Sequence, residues 1–318
     1  MEYVSCNLCS SDSFTTLFSL RDILSLTNEI FRVVTCNQCG LVYLNPRPSA
    51  EQLDTFYPEE YWWRRGKKTN NILSRLARNF EEWYRTYLLN SEVRLLKKVL
   101  NKGSKILDVG CGRGDILYLC KRSGFKTYGI ELSEKAARVA RIEYGLDVYQ
   151  GSLFEIDFEP NYFDAITFYH VFEHLPDSLR VLKKANRILK DEGILVIQIP
   201  NIDSLQFKLF KKRWFGLSVP QHFYHFSPKT IEQMLKKANF EIVNIRHISN
   251  RCNPSVFVSS LIPKLNPHTF LMEENRGKSQ LIFKIIYFVL VLLFTPWTLL
   301  ESACRRGAVI TVYARRRG

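Results

Sequence analysis

Glycine and proline are scarce in this chain, 15 and 12 residues in 318, which excludes collagen-like and low-complexity architectures. There is no internal repeat and no long basic arm. The opening MEYVSCNLCS has no apolar stretch of the kind that forms a signal peptide, so the chain is expected in the cytoplasm. Acidic residues are the minority charge, 31 against 45 Lys and Arg, for a formal net charge of +14. That excess favours an anionic partner: nucleic acid, a phospholipid surface or a phosphorylated substrate. It sits in short clusters, Arg64-Arg65-Gly66-Lys67-Lys68, Lys211-Lys212-Arg213 and Arg315-Arg316-Arg317, that do not choose among the three. Hydrophobic residues at 46% and aromatics at 13% supply a sizeable core and exclude disorder for the bulk of the chain. The length suits one main domain with an appendage.

Eight cysteines are present. Cys111, Cys120, Cys252 and Cys304 are scattered, whereas Cys6-x-x-Cys9 and Cys36-x-x-Cys39 form two knuckles, the second followed by Gly40. Such pairs supply four thiolates for a tetrahedral Zn²⁺ in a reducing compartment; an iron site of rubredoxin type and free thiols are the alternatives. Four ligands leave no open position, so the metal is expected to be structural.

Residues 70–101 read as a helix, with Leu73, Leu76, Phe80, Trp83, Tyr84 and Tyr87 near 3.6 spacing. From Lys105 strand-like and helix-like segments alternate. Strands are expected at KILDV, TYGIE, DVYQG, FDAITFY, GILVIQIP, FEIVNIRHI and AVITVYARR. Helices are expected at 115–124, at 133–145 between the Ser133 cap and Gly145, at 177–190 and at 228–240. This alternation predicts an α/β fold with a mostly parallel sheet covered on both faces. The last two strands suggest an antiparallel excursion at one edge. Residues 249–307 break the alternation and hold the uncharged apolar run Ile285–Leu300.

Asp108-Val109-Gly110-Cys111-Gly112-Arg113-Gly114 lies between a strand and a helix. Glycines there let backbone approach a ligand closely at a helix N-terminus. Glu131, closing the next strand, can accept bonds from both ribose hydroxyls of a nucleoside cofactor. The spacing G-x-G-x-G differs from the nicotinamide fingerprint, and the acid before it suits a cofactor whose amino acid moiety carries a cation. ILDVGCGRGD resembles the first motif of class I S-adenosylmethionine (SAM)-dependent methyltransferases. GIELSE resembles their second motif, FDAITFYHVFEHLPD the one after their fourth strand, and LVIQIPN the end of their fifth. The resemblance covers about residues 100–250 and 307–316 and implies a Rossmann-like seven-stranded methyltransferase sheet. It also implies roles: Gly110, Gly112, Gly114 and Asp108 beside the methionine part, Glu131 on the ribose, and Ser152 and Leu153 beside the adenine. Ser152 stands where many relatives carry Asp. Tyr169 and His170 would face the sulfonium.

His170-x-x-Glu173-His174 also matches a zinc-protease pattern. That chemistry needs both histidines on one helical turn, whereas His170 ends a strand, so they are expected to diverge. Glu173 and His174 are expected to brace the loop that walls the pocket. GLVYLNPRPSAEQLDTFY, after the second knuckle, resembles the N-terminal module of zinc-containing methyltransferases acting on nucleotide-linked sugars and related polysaccharide precursors. Zinc-containing ribosomal RNA guanine methyltransferases also join a cysteine cluster to this fold. In sugar C-methyltransferases a segment similar to 214–227 reads Glu-His, then aromatics and Ser, with the His as base; His222 matches that His, and Gln221 replaces the Glu. A near-neutral imidazole suits proton removal from carbon, oxygen or nitrogen, and His225 is the second candidate. Packing roles for both are the alternative, and His247 and His268 read as structural or surface residues.

The expected organisation is a zinc-binding module over 1–60, a helical connector over 61–100 and a catalytic domain over 101–318. An apolar insertion at about 250–306 is expected to lie on the cytoplasmic face of a membrane without crossing it, because the strand after it belongs to the catalytic sheet; a buried helix or an oligomer interface is the alternative. The expected substrate is a small-molecule or lipid-linked glycan precursor. An RNA base methyltransferase and an inactive zinc-ribbon adaptor are the alternatives.

Overall fold

The computed structural model describes residues 1–23, 26–49, 52, 56, 72–267 and 277–317. The basic run 64–68, much of the connector and His268 lie outside them. Strands β1 (Phe14–Arg21) and β2 (Ile30–Cys36) form an antiparallel hairpin between the cysteine knuckles, and β3 (Val42–Leu44), after the second knuckle, pairs antiparallel with β2. Helix α1 (Ile72–Val99) follows and buries Leu89, Val93 and Leu96.

The main sheet then builds by alternation: β4 (Lys105–Val109), α2 (Asp115–Arg122), β5 (Lys126–Glu131), α3 (Glu134–Tyr144), β6 (Asp147–Gln150), β7 (Phe163–Tyr169), α4 (Ser178–Ile188) and β8 (Leu189–Pro200). The helix ends follow from the chemistry of their caps. Ser133 Oγ accepts the Ala136 N–H, and Gly145 closes α3 at φ +58°. Helix α4 stops two residues earlier than the periodicity suggests, because Leu189 already pairs with Phe163 in the sheet.

A short helix α5 (Leu205–Phe210), the two-residue strand β9 (Tyr224–His225), α6 (Pro228–Lys237) and β10 (Phe240–Arg246) come next. Helices α7 (Cys252–Leu261) and α8 (Gly277–Ala303) precede the last strand, β11 (Val309–Arg316). The seven-stranded order is β10-β11-β8-β7-β4-β5-β6. Strand β11 is antiparallel to both β8 and β10, so the reversed strand sits one place in from the edge. The four-stranded sheet runs β1-β2-β3-β9, so a segment from beyond residue 220 completes the sheet of the cysteine module.

The core reflects this joining. One continuous cluster runs from Phe31, Leu41 and Tyr43 in the module to Phe168, Phe223 and Phe226 in the catalytic part. Helix α8 is anchored at its end by a buried polar network. Gln206 Nε2 donates to Glu301 Oε1 at 2.7 Å and to the Asn253 carbonyl at 3.0 Å, and Asn253 Oδ1 accepts from Val309 N.

Candidate active site

Strands β4, β5 and β7 end side by side, and their last residues gather around the glycine turn. Gly110, Gly112 and Gly114 have φ of +71°, +55° and +80°, a region that side chains disfavour. A Cβ at Gly110 would lie 2.4 Å from Val171, and one at Gly114 would lie 2.4 Å from Leu146. At Gly112 nothing stands within 4 Å, so a ligand could approach the turn there.

Glu131 is 3% exposed. Its Oε2 accepts the Gly112 N–H and its Oε1 the Ser133 N–H, each at 2.8 Å. The carboxylate expected to hold the ribose therefore also shapes the turn. Burial raises its pKa, and the two N–H groups oppose that shift. Asp108 accepts the Thr167 hydroxyl at 2.6 Å. Burial pushes its pKa up to about 7, opposed by the Thr167 bond and assisted by the nearby Glu131 charge. A cation arriving beside Asp108 would stabilise the ionised form.

Ser152 and Leu153 follow β6, and Gly151 N donates to the Glu131 carbonyl at 2.9 Å, which brings them to the same end of the sheet. Leu153 is buried, and Ser152 N donates to Glu155 Oε2 at 2.7 Å. Tyr169, the last residue of β7, packs against the cluster formed with α1 and α2. Burial raises its pKa well above the usual phenol range, as do the charges of Glu92 and Tyr313, so the hydroxyl keeps its proton.

His170 turns the chain at φ +57°, a strained conformation for a residue with a side chain. Its Nε2 lies 3.2 Å from Cys252 Sγ and its Nδ1 3.8 Å from Glu173 Oε1. Burial raises the pKa of Cys252, but His170 and Arg251 more than reverse this and bring it to about 5. Burial lowers that of His170, but Cys252 and Glu173 outweigh it and lift it to about 10. Each group thus shifts the other toward its charged form, the thiol down and the imidazole up. Cys252, Arg251, Thr167 and Glu92, whose Oε1 accepts from Gln198 Nε2 at 3.2 Å, carry no motif that marks them in the sequence. Only folding brings α7 to the end of β7.

His222 is buried, and its Nδ1 is 2.9 Å from the Gly216 carbonyl. Burial, then the neighbouring His174 and His225, lower its pKa well below the usual value, so the ring is neutral. His225 lies in β9 opposite Val42, and burial lowers its pKa to about 3. Neither of its ring nitrogens has a hydrogen-bond partner among the described residues. The rings of His222 and His225 are 6.3 Å apart. Glu173 O accepts Phe223 N at 2.9 Å, tying this segment to the loop after β7.

In the module, Cys6 and Cys39 Sγ atoms are 3.4 Å apart, as are those of Cys9 and Cys36, and all four lie within 4.8 Å of one another. Gly40 N donates to the Cys36 carbonyl at 3.0 Å, closing the second knuckle. Burial raises the Cys6 thiol to about 11. Burial also acts on Cys36, where backbone N–H groups of Cys39 and Gln38 and neighbouring cysteines outweigh it and bring the thiol to about 7. Four sulfurs at this spacing with N–H groups aimed at them suit a tetrahedral thiolate site.

Strand order, glycine turn and acid-ended β5 together define an α/β enzyme built for a nucleoside cofactor. The profile of the family described as "Methyltransferase domain" matches residues 80–245, and the chain belongs to this family of SAM-dependent methyltransferases. The match leaves the cysteine module, α7, α8 and β11 outside it. The chain is 27% identical over 212 residues to an uncharacterized protein of Methanocaldococcus jannaschii, covering 59% of this chain and 82% of that protein. It is 34% identical over 110 residues to a ubiquinone biosynthesis O-methyltransferase of Actinobacillus pleuropneumoniae, covering 31% and 47%, so it spans about half the length of that relative. A solved SAM-dependent methyltransferase of Archaeoglobus fulgidus is similar at 21% identity and a TM-score of 0.49, over 74% of this chain and 98% of that one.

Proposed function

We propose that the chain methylates the sugar of a phosphate-bearing glycan precursor, nucleotide-linked or lipid-linked. The observation that carries this reading is the double use of the segment 214–227. It bears His222 and His225, and its first residues line a cavity of about 170 Å³ together with Arg21, Lys212 and Arg213. None of the residues assigned to SAM, nor His222 or His225, lines this cavity; we assign it to the phosphate end of the acceptor because three cations border it.

SAM supplies an electrophilic methyl group, and this chain's residues hold and orient the reactants. Gly110, Gly112, Gly114, Asp108 and Glu131 are the residues that would hold it, with Ser152 and Leu153 beside the adenine. Aligning methyl and acceptor is the main contribution to rate. His222, neutral and held by the Gly216 carbonyl, is the base we assign in the metal-free chain, through its Nε2 lone pair, with His225 behind it. Zn²⁺ on Cys6, Cys9, Cys36 and Cys39 would hold the module that donates β3 to the β9 strand.

Helix α8 has one further role in this reading. Residues 282–303 are long and apolar enough to cross a bilayer, with 11% of the apolar window buried. Both of its flanks, β10 and β11, belong to one sheet, which argues against a single crossing. Phe288 packs on Phe80 and Tyr84, and exposed Trp83 and Tyr87 extend the apolar surface onto α1. We assign this face to an anionic lipid surface on the cytoplasmic side, where a lipid-linked acceptor would be met.

The test is methyl transfer from labelled SAM to nucleotide-diphosphate sugars, polyprenyl-diphosphate sugars, a quinol and ribosomal RNA. Label in a sugar acceptor, with KM raised at least tenfold by Arg21→Ala plus Arg213→Ala, supports the reading. Label in RNA or quinol alone overturns it.

A further inference from the structure

The pattern His170-x-x-Glu173-His174 does not gather its own three side chains. His170 turns to Cys252, while Glu173 and His174 meet His222 from the other wall of the site. One side-chain donor atom from each of these three lies within 4.8 Å of the others. The arrangement around them is that of a metal site.

Glu173 is 1% exposed, and neither carboxylate oxygen has a hydrogen-bond partner among the described residues. The nearest cation, His170 Nδ1, stands 3.8 Å from one oxygen, beyond hydrogen-bond reach. His170 pairs with this carboxylate only at ion-pair distance, so the lone pairs of both oxygens remain for a cation that binds them directly. Both imidazoles are turned to supply lone pairs. His174 Nδ1 is 2.9 Å from the Gln221 carbonyl and His222 Nδ1 is 2.9 Å from the Gly216 carbonyl. A carbonyl only accepts, so each Nδ1 carries the proton and each Nε2 the lone pair. This outer bond to a carbonyl is the habitual companion of a metal-bound histidine. The two rings stand 4.6 Å apart, edge to face.

We propose that Glu173, His174 and His222 bind one divalent transition metal ion, separate from the four-cysteine site; a bound ion takes the His222 Nε2 lone pair, so His222 is then a ligand and not the base. Two neutral imidazoles and one carboxylate suit zinc and its first-row neighbours. Ligands of a tetrahedral zinc stand about 3.4 Å apart, given bonds of about 2.1 Å. The three donor atoms therefore need to close by roughly 1.4 Å at most. The ion adds to the bonds that already join the loop after β7 to the segment 214–227, from Phe223 N to the Glu173 carbonyl, from His174 Nδ1 to the Gln221 carbonyl and from the Tyr224 hydroxyl to the Pro176 carbonyl. Three protein ligands leave at least one coordination position for water or an acceptor oxygen.

The experiment uses the untagged full-length protein, equilibrated with excess Zn²⁺ and desalted. Its metal content is measured per chain, and its zinc K-edge X-ray absorption is recorded. With both sites filled, the wild type holds two zinc ions with a mixed shell of sulfur and nitrogen or oxygen. Glu173→Gln, close to isosteric, and His222→Gln should each lose one equivalent and the nitrogen and oxygen part of the shell. One zinc with a nitrogen and oxygen shell would sustain the site and remove the four-cysteine one. One zinc with an all-sulfur shell in the wild type, or a Glu173→Gln protein with unchanged metal content and shell, would overturn the proposal. The wild-type spectrum decides the matter even where a variant fails to fold.

Discussion

Glu131→Gln separates the two tasks that converge on one carboxylate. In the wild type each oxygen accepts one backbone N–H at 2.8 Å, from Gly112 and Ser133. The amide can still accept one of them, but its NH2 group meets the other N–H donor to donor. At 3% exposure there is little room for water to take over. One lost bond to an ionised, buried acceptor costs about 1.5–3 kcal/mol. Gly112 is one of the two donors, so the loss falls on the turn that would seat SAM, in addition to any weakened contact to the ribose. At 1.36 kcal/mol per tenfold, affinity for SAM should drop by about 10- to 150-fold. Glu131→Ala, which removes both acceptors, should lose at least as much. Titration calorimetry of the full-length protein measures the affinity, with circular dichroism to establish that each variant is folded. A folded Glu131→Gln protein that binds SAM within threefold of wild type would remove Glu131 from the site.

His222→Ala should lower kcat by about 10²–10⁴ while SAM binding survives, as for loss of a general base; a loss below threefold would leave His222 a packing residue. Asp108, with its pKa at about 7, gives a pH signature. Between about pH 4 and 7 the folded chain holds a proton there that the unfolded chain releases, so apo stability should fall as pH rises through that window. A bound cation reverses the preference, so SAM affinity should rise across the upper part of the window with release of a proton. Calorimetry at pH 6.5 in two buffers of different ionisation heat would detect it, and an absence of proton release would refute the contact. For the lipid surface, Leu292→Lys plus Leu293→Lys on the exposed face of α8 should reduce sedimentation with anionic vesicles at least tenfold. Full release of the wild type by salt alone would make the attachment merely electrostatic, and protease access to the C-terminus from outside the cell would establish a true span.

Much of the fold is legible in residue order because its causes are local. The β4 strand, the glycine turn and α2 follow one another within twenty residues, and the φ values at Gly110, Gly112 and Gly114 are what that turn requires. The Ser133 and Gly145 caps bound α3 where the sequence places them. The boundary between α4 and β8 was less legible. Periodicity carries the helix to residue 190, but pairing of Leu189 with Phe163 ends it at Ile188. No pattern near Tyr224 and His225 marks a strand, because a two-residue segment becomes one only when β3 lies beside it.

By itself the sequence determined the alternation of strand and helix, the acid-ended β5 beside a glycine turn, and two cysteine knuckles able to share an ion. Each of these rests on a backbone preference or spacing that acts over a few residues. The tertiary structure alone decided that β11 enters between β8 and β10, that Cys252 faces His170, and that Glu173 and His174 meet His222. These pairings join segments roughly 50 to 110 residues apart, and the burial that makes them strong exists only after the whole sheet has closed.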